Sequence, residues 1–207
     1  VRADAQDYAP YYNRGELHWS GGRRERALSD FRNAMTSTKL TPEAALSIGD
    51  RYLSLQLWKE AAIAYGRARD LGAAVPALIR RARVYESEKD LKRARADLDE
   101  AVKLEPENAS LLAARGTLLA RMGQDKPAIS DLNRAVRLAP ADTEILAARA
   151  SFYALVEKPT LALEDFTKAI DIDPKYAEAY NGRGALYANA LEEPGKALRD
   201  VMKAVEL

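Results

Sequence analysis

The sequence of 207 residues contains no cysteine, which excludes disulfide bonds, thiolate catalysis and cysteine-based zinc sites. It has one histidine, His18, so a metal site built on several histidines is also excluded. No apolar run approaches the roughly 20 residues that a membrane-spanning helix needs. Residues 1–7 lack the apolar stretch of a secretory signal. The compartment stays open, because a cysteine-free chain fits both a reducing cytoplasm and a bacterial periplasm.

The chain also has no marked excess of positive or negative residues. The chain has 32 Lys and Arg against 31 Asp and Glu, a net charge of +1. Nucleic-acid binding requires a concentrated basic face, and the arginines of residues 14–32 are scattered around their helices. Nucleic acid is therefore not an expected partner. With 47% hydrophobic residues, the chain can nevertheless form a core.

One octet of residues returns six times along the chain, at intervals of 33 to 35 residues. Its first position is always alanine, and so is its last. The first column contains Ala27, Ala61, Ala94, Ala128, Ala162 and Ala197; the last contains Ala34, Ala68, Ala101, Ala135, Ala169 and Ala204. Between them lies an apolar column of Phe31, Tyr65, Leu98, Leu132, Phe166 and Val201. A period of this length is typical of helical-repeat proteins.

A second column of minimal side chains lies about twelve residues upstream: Gly15, Gly49, Ala82, Gly116, Ala150 and Gly184. A larger residue, usually aromatic, follows three positions later, which indicates one face of a helix. Each unit is predicted to be helix A, a turn and helix B. The predicted units are 8–41, 42–74, 75–108, 109–142, 143–176 and 177–207, forming a single domain after a lead-in of residues 1–7. All nine prolines lie at predicted junctions, where they are tolerated.

These columns resemble the tetratricopeptide repeat, whose pattern of small, aromatic, alanine and proline positions spans about 34 residues. The resemblance extends from Tyr8 to Leu207. It implies an all-α, right-handed superhelical solenoid of six antiparallel helix-turn-helix repeats. It also implies a concave groove, lined mainly by A helices, that holds a peptide or a helix of a partner protein. The expected function is therefore a non-catalytic scaffold that needs no cofactor and no metal.

Opposite charges recur one position before the small column and one position before the apolar column of helix B. The pairs are Arg14 and Asp30, Arg81 and Asp97, Arg115 and Asp131, Arg149 and Asp165, and Arg183 and Asp200. The second repeat (42–74) has Ile48 and Ala64 at these two positions, so it lacks both charges. We expect each pair to be partly buried, either across the A–B crossing or between adjacent units. The alternative is that these are independent surface charges.

No catalytic constellation stands out. His18 lies in the large-residue column, where a core role is expected. Gly195-Lys196 resembles a phosphate-binding loop only superficially, because Ala190 and Ala197 replace the required Gly and Ser or Thr. The carboxylates are spread over helix surfaces, and none is singled out as an acid–base pair. We therefore do not expect an enzyme.

The groove is predicted from positions around the small column. The candidate partner-binding residues are Tyr12, Asn13, Glu16, Trp19, Ser47, Asp50, Arg80, Arg83, Ala114, Thr117, Ala148, Ser151 and Asn181. The first half carries charge, and Arg80 and Arg83 are candidates for holding an acidic group. The second half is small and nearly uncharged, which suits an extended segment or an apolar helix face. The alternative is that alanine is simply the best helix former.

The last B helix ends at Leu207 without a polar helix that covers the face a seventh unit would use. Solenoids normally have such a cap. The favoured explanation is that the chain is a piece of a longer protein; the other is a homodimer through the C-terminal repeat. An assembly domain of a larger envelope or regulatory protein, acting through its terminal repeats, is therefore the alternative function.

Overall fold

The structure, a computed structural model, describes residues 7–207. These residues form twelve α-helices and no strand. The predicted lead-in lies outside the described residues, apart from Asp7. The helices are α1 (Ala9–Ser20), α2 (Arg24–Met35), α3 (Pro42–Ser54), α4 (Trp58–Asp70), α5 (Ala74–Ser87), α6 (Leu91–Leu104), α7 (Ala109–Arg121), α8 (Asp125–Leu138), α9 (Thr143–Leu155), α10 (Pro159–Ile172), α11 (Ala177–Asn189) and α12 (Pro194–Glu206).

Consecutive helices pack as hairpins, in the order that the repeat pattern predicts, so the all-α architecture is confirmed. The chain divides into two compact units. The first ends at Ala101, and its core contains the fully buried Phe31, Ile48 and Tyr65. The second comprises Val102–Leu207, with Leu112, Leu132 and Leu146 fully buried.

The columns of small residues lie where helices A and B of a hairpin cross. In the second unit, Gly116 of α7 faces Leu132 of α8. A Cβ added at Gly116 would lie 2.9 Å from Leu132 Cγ and 3.1 Å from the backbone oxygen of Ala128. Hydrogen is thus the largest group that fits at this crossing without a shift. On the B helices, Ala94 and Ala128 are fully buried, as the repeat pattern predicts.

The first five A-to-B turns close in the same way, and the sixth has the same closing hydrogen bond but is one residue longer. The residue after the turn donates a backbone hydrogen bond of 2.8–3.0 Å to the carbonyl of the large residue that follows the small column, as in Asp90 to Tyr85. One residue just before it has a positive φ between 53° and 74°, which is the geometry of a Schellman closure. These residues are Gly22, Gln56, Lys89, Gly123, Glu157 and Glu192. Only two of them are glycine, so the closure itself imposes the left-handed conformation on the others.

The last hairpin departs from the predicted burial. Val201 of α12 is 41% exposed, whereas the other five members of its column are at most 3% exposed. The Cγ2 atom of Val201 nevertheless lies at the crossing of α11 and α12, because a Cβ added at Gly184 would be 3.0 Å from it. Leu198, Met202 and Val205 are exposed on the same helix. The helix α12 therefore presents an apolar surface.

Candidate functional site

Paired charges join the two helices of five hairpins. In each pair, the arginine of helix A donates from Nε and Nη2 to the two carboxylate oxygens of the aspartate of helix B, at 2.6–3.0 Å. The pairs are Arg14–Asp30, Arg81–Asp97, Arg115–Asp131, Arg149–Asp165 and Arg183–Asp200. The aspartates are only 4–8% exposed. Of the two predicted arrangements, the structure has the one within each hairpin.

The bidentate geometry is the strong form of an arginine–carboxylate contact. The hydrogen bonds that Arg149 donates to Asp165 raise the pKa of Arg149 above its ordinary value, against the effect of burial. Arg14 is the exception in exposure, since 60% of its side chain is accessible. In the second hairpin, the charged pair is replaced by the apolar side chains of Ile48 and Ala64, both of which are fully buried. The charged pairs therefore join helix A to helix B in five hairpins, and apolar side chains take their place in the second.

A predicted polar surface of the first unit, the first-unit face, is built by α1, α3 and α5. It consists of Tyr12, Asn13, Glu16, Trp19, Ser47, Asp50, Arg80 and Arg83. Most of these side chains already bind each other or a neighbour. Tyr12 donates to Ser47 Oγ at 3.1 Å, and Arg51 holds both carboxylate oxygens of Glu16 at 2.7 and 3.2 Å. Arg80 lies 3.3 Å from Asp50.

These internal pairs change what the first-unit face offers to a partner. Of the two arginines expected to hold an acidic group, Arg80 is already paired with Asp50, and Arg83 is exposed. Asn13 is also exposed. Trp19 is half-buried, and the guanidinium Cζ atoms of Arg24 and Arg51 lie 3.9 and 5.2 Å from its ring centroid. Pairing across neighbouring hairpins, as between Glu16 and Arg51, was not apparent from the sequence.

His18 lies beside the first of the arginine–aspartate pairs. Its side chain is 17% exposed, and Nε2 lies 3.9 Å from Asp30 Oδ2. Its Nδ1 is buried and has no hydrogen-bond partner among the described residues. The position is therefore largely internal, as its column predicts.

The second-unit face is formed by the predicted residues of α7, α9 and α11: Ala114, Thr117, Ala148, Ser151 and Asn181. All are exposed except Ala148, which is half-buried. The hydroxyl of Ser151 donates to the backbone oxygen of Ala147 at 2.8 Å, so it is turned toward its own helix. This face is therefore uncharged and has short side chains.

A recess opens on the second-unit face, among groove positions such as Ser151 whose depth the sequence did not indicate. We call it the Phe166 pocket; it has a volume of about 320 Å³. Its lining consists of Ser151, Ala154, Phe166, Gly182, Ala185, Leu186, Asn189 and Ala190. A Cβ at Gly182 would collide with the ring of Phe166. The sequence signal for this pocket is Gly182, because the two preceding repeats have alanine at the equivalent positions, Ala114 and Ala148.

Neither a membrane span nor a metal cluster is found in residues 7–207. Each helix in this part of the chain is too short or too polar to cross a membrane. The same residues contain no group of three or more His, Asp or Glu side chains placed to hold a metal ion.

Six hairpins in one repeating pattern, each closed by an equivalent backbone hydrogen bond and crossing at small residues, define a helical-repeat protein. Models of the tetratricopeptide repeat match residues 12–77, 75–108 and 109–142, and a model described as TPR repeat matches residues 160–190. Together these matches span most of the chain. The chain belongs to the tetratricopeptide repeat family.

Solved structures with the same fold are numerous, with 305 matching chains. A tetratricopeptide repeat protein from Parabacteroides merdae has a TM-score of 0.81 and 19% identity, covering 96% of this chain and 79% of its own. MamA from Desulfovibrio magneticus RS-1 has a TM-score of 0.64 and 22% identity, covering 80% and 94%. YrrB has a TM-score of 0.58 and 27% identity, covering 85% and 91%; it is described as a TPR protein with an unusual peptide-binding site.

None of the curated proteins compared with this chain matches it. The likeness to the first two structures concerns the fold alone, since fewer than 25% of residues are identical. The family and its structural neighbours support a protein-interaction scaffold as the class of function.

Proposed function

We propose that the chain is a non-catalytic scaffold that binds a segment of a partner protein on its second-unit face. The observation that carries the proposal is the Phe166 pocket, a recess of about 320 Å³ on an uncharged surface. Its walls are the ring of Phe166 and the methyl groups of Ala154 and Ala185. Buried apolar anchors in such recesses supply much of the binding free energy in protein interfaces. The pocket thus suits a large apolar side chain of the partner.

The surroundings of the pocket favour a peptide or a helix over a bulky polar partner. Ala114, Thr117 and Ser151 expose short side chains, which let a partner backbone approach the helices closely. No charged side chain lines the pocket, so a bound apolar segment does not remove water from a charged group of this chain. Apolar grooves of helical proteins take either amphipathic helices or extended segments in this way.

The first-unit face is a separate candidate surface for a polar segment. Its exposed contacts are Asn13 and Arg83, while Glu16 and Arg80 are occupied by internal ion pairs. The similarity to YrrB, a TPR protein with an unusual peptide-binding site, supports peptide binding by one of these faces.

Selection from a random peptide library on the full chain tests the proposal. The peptide that is enriched is labelled and titrated by fluorescence polarisation against three proteins: the unchanged chain, Ala185→Arg and Ser130→Arg. Ala185→Arg fills the pocket, so we expect its affinity to drop by roughly tenfold or more. Ser130→Arg is the matched control, since Ser130 is an exposed helical residue of α8 outside the pocket lining, and it should bind unchanged. Equal binding by all three proteins would reject the Phe166 pocket as the site.

The second candidate function is an assembly domain that acts through its terminal repeat. It is favoured by the exposed Leu198, Val201, Met202 and Val205 of α12. Contiguous exposed apolar surface is typical of association sites. Sedimentation velocity over a range of concentrations tests it: self-association that is lost in Val205→Glu supports this function. A monomer at all concentrations would leave the peptide scaffold as the proposed function.

A further inference from the structure

Helices α4 and α5 of the first unit leave an open cleft of about 690 Å³ between them. We call it the Gly66 cleft. Five cationic side chains line it, namely Lys59, Arg67, Arg69, Arg81 and Arg93, together with the carboxylates Asp70 and Glu88. The cleft lies apart from the residues of the first-unit face and is not part of the proposed peptide site.

At the Gly66 cleft, a hydrogen-bond acceptor that two later hairpins have is missing. In two later hairpins, the Nη1 group of the paired arginine donates to a side chain of the preceding B helix. Arg149 donates to Asn133 Oδ1 at 2.9 Å, and Arg183 donates to Thr167 Oγ1 at 3.3 Å. The equivalent position before Arg81 is Gly66. A Cβ added at Gly66 would lie 3.3 Å from Arg81 Nη1, so this donor group faces a helix surface without a side chain.

Part of the positive charge in the cleft is uncompensated. Arg81 uses Nε and Nη2 for Asp97, and Arg69 lies 2.9 Å from Asp70 and 3.6 Å from Glu100. Lys59 and Arg67 differ, since neither has an ion-pair partner within 4.0 Å among the described residues. On α4, Lys59, Gly66 and Arg67 are seven and eight positions apart and share one helix face.

We propose that the Gly66 cleft binds an oxyanion, a phosphate or carboxylate group. The anion accepts hydrogen bonds from Arg81 Nη1, Arg67 and Lys59. It takes the acceptor position that the side chains of Asn133 and Thr167 occupy in the two later hairpins. Arginine donors match the geometry of both oxyanions, and the hydrogen bonds are charge-assisted. The cleft also has an apolar wall, with Ile63 68% exposed and the ring of Tyr85 beneath Arg93. The ligand is therefore an anionic group attached to an apolar body.

Titration of the full chain, followed by NMR of the backbone amides, tests the site. Inorganic phosphate is one probe and acetate is the other, with sodium chloride at matched ionic strength as the reference. We expect saturable shifts at Gly66 and Arg67 with at least one of the two oxyanions and none with chloride. Saturation by phosphate alone assigns a phosphate ligand; saturation by acetate alone assigns a carboxylate. Shifts that do not saturate, or that chloride reproduces, overturn the proposal.

Three variants locate the effect. Gly66→Asn supplies the missing internal acceptor without removing a charge, so the affinity for the oxyanion should drop by about tenfold or more. Arg67→Gln should weaken binding similarly and leaves every ion pair of the cleft in place. Asn133→Gly is the opposite change, because it removes the acceptor of Arg149 Nη1. It leaves Arg149 with Lys126 and Arg134 at the repeat positions that Lys59 and Arg67 hold near Arg81. It should add a second set of shifts around residue 133. Unchanged affinity in folded Gly66→Asn and Arg67→Gln would refute the assignment.

Discussion

The hydroxyl of Tyr65 donates a hydrogen bond of 2.8 Å to Asp50 Oδ1, so a fully buried tyrosine ends at a carboxylate on the first-unit face. Burial, and secondly the hydrogen bond to Asp50, raise the pKa of Tyr65 well above its ordinary value. The same carboxylate lies 3.3 Å from Arg80. One aspartate therefore connects the core of the second hairpin to the surface charge of the third.

The raised pKa of Tyr65 predicts a loss of stability in alkaline solution. An unfolded tyrosine releases its proton near pH 10, whereas folded Tyr65 keeps its proton to higher pH. Stability is therefore fully present below about pH 10 and declines above it, by up to about 1.4 kcal/mol for each pH unit from this residue. Urea unfolding at pH 8, 10 and 11 measures the slope.

Tyr65→Phe is the comparison for the alkaline slope. It cannot ionise, so its unfolding free energy should decline less steeply with pH than that of the unchanged chain. Tyr52 and Tyr176 also have raised pKa values from burial, and they should leave a residual slope in the variant. Identical slopes for the two proteins would show that Tyr65 ionises in the folded state as it does in the unfolded chain.

Two substitutions at Asp50 should separate its hydrogen bond from its charge. Asp50→Asn keeps an oxygen acceptor for Tyr65 and loses only the half-exposed ion pair with Arg80, which should cost less than about 1 kcal/mol. Asp50→Ala leaves the tyrosine hydroxyl without its acceptor and should cost about 1–3 kcal/mol. Thermal unfolding monitored by circular dichroism gives both values at pH 7. The prediction is wrong if asparagine is as destabilising as alanine.

The paired charges of the fifth hairpin should be replaceable only together. Asp165→Ala leaves Arg149 beside an apolar crossing and should destabilise the chain by about 3 kcal/mol or more. The double variant Arg149→Ile, Asp165→Ala copies Ile48 and Ala64 of the second hairpin, both of which are fully buried. It should recover most of the lost free energy. Additive losses, measured by urea unfolding in a double-mutant cycle, would contradict this account.

A methyl group at the α7–α8 crossing should oppose the usual preference of helices for alanine. Gly116→Ala brings Cβ to 2.9 Å from Leu132 Cγ, and we expect a destabilisation of about 1–3 kcal/mol from overpacking. Gly195→Ala in α12 is the matched control, since nothing lies within 4 Å of its added Cβ. That variant should be stabilised by up to about 1 kcal/mol. Both changes are measured by thermal unfolding; equal effects would exclude a steric crossing at Gly116.

The fold was predictable because its causes repeat in the sequence. Six copies of a small residue on helix A and of alanine on helix B lie in one register, and the structure brings them to the crossings. Simultaneous loss of Arg and Asp at Ile48 and Ala64 likewise indicated a contact between the two positions. Each of these signals is local to one hairpin of about 34 residues, so no long-range geometry was needed.

The details of the two faces were less accessible, because they depend on contacts between hairpins. The bond from Arg51 to Glu16 joins residues 35 positions apart. Neither position belongs to a charged column that repeats along the chain, so no periodicity indicated that they pair. The Phe166 pocket requires both a glycine at 182 and an aromatic ring at 166, and the depth that they create together is a property of side-chain packing. The exposure of Val201 depends on the neighbours of α12 in the folded chain, and the repeat pattern does not predict these neighbours.

The common A-to-B turn has a consequence for engineering. Gln56, Lys89, Glu157 and Glu192 adopt the left-handed conformation that glycine adopts at Gly22 and Gly123. L-residues other than glycine pay roughly 1 kcal/mol for that conformation. Substituting glycine at any of these four positions therefore changes the stability of one hairpin, while the first-unit face, the second-unit face and every helix crossing keep their native side chains.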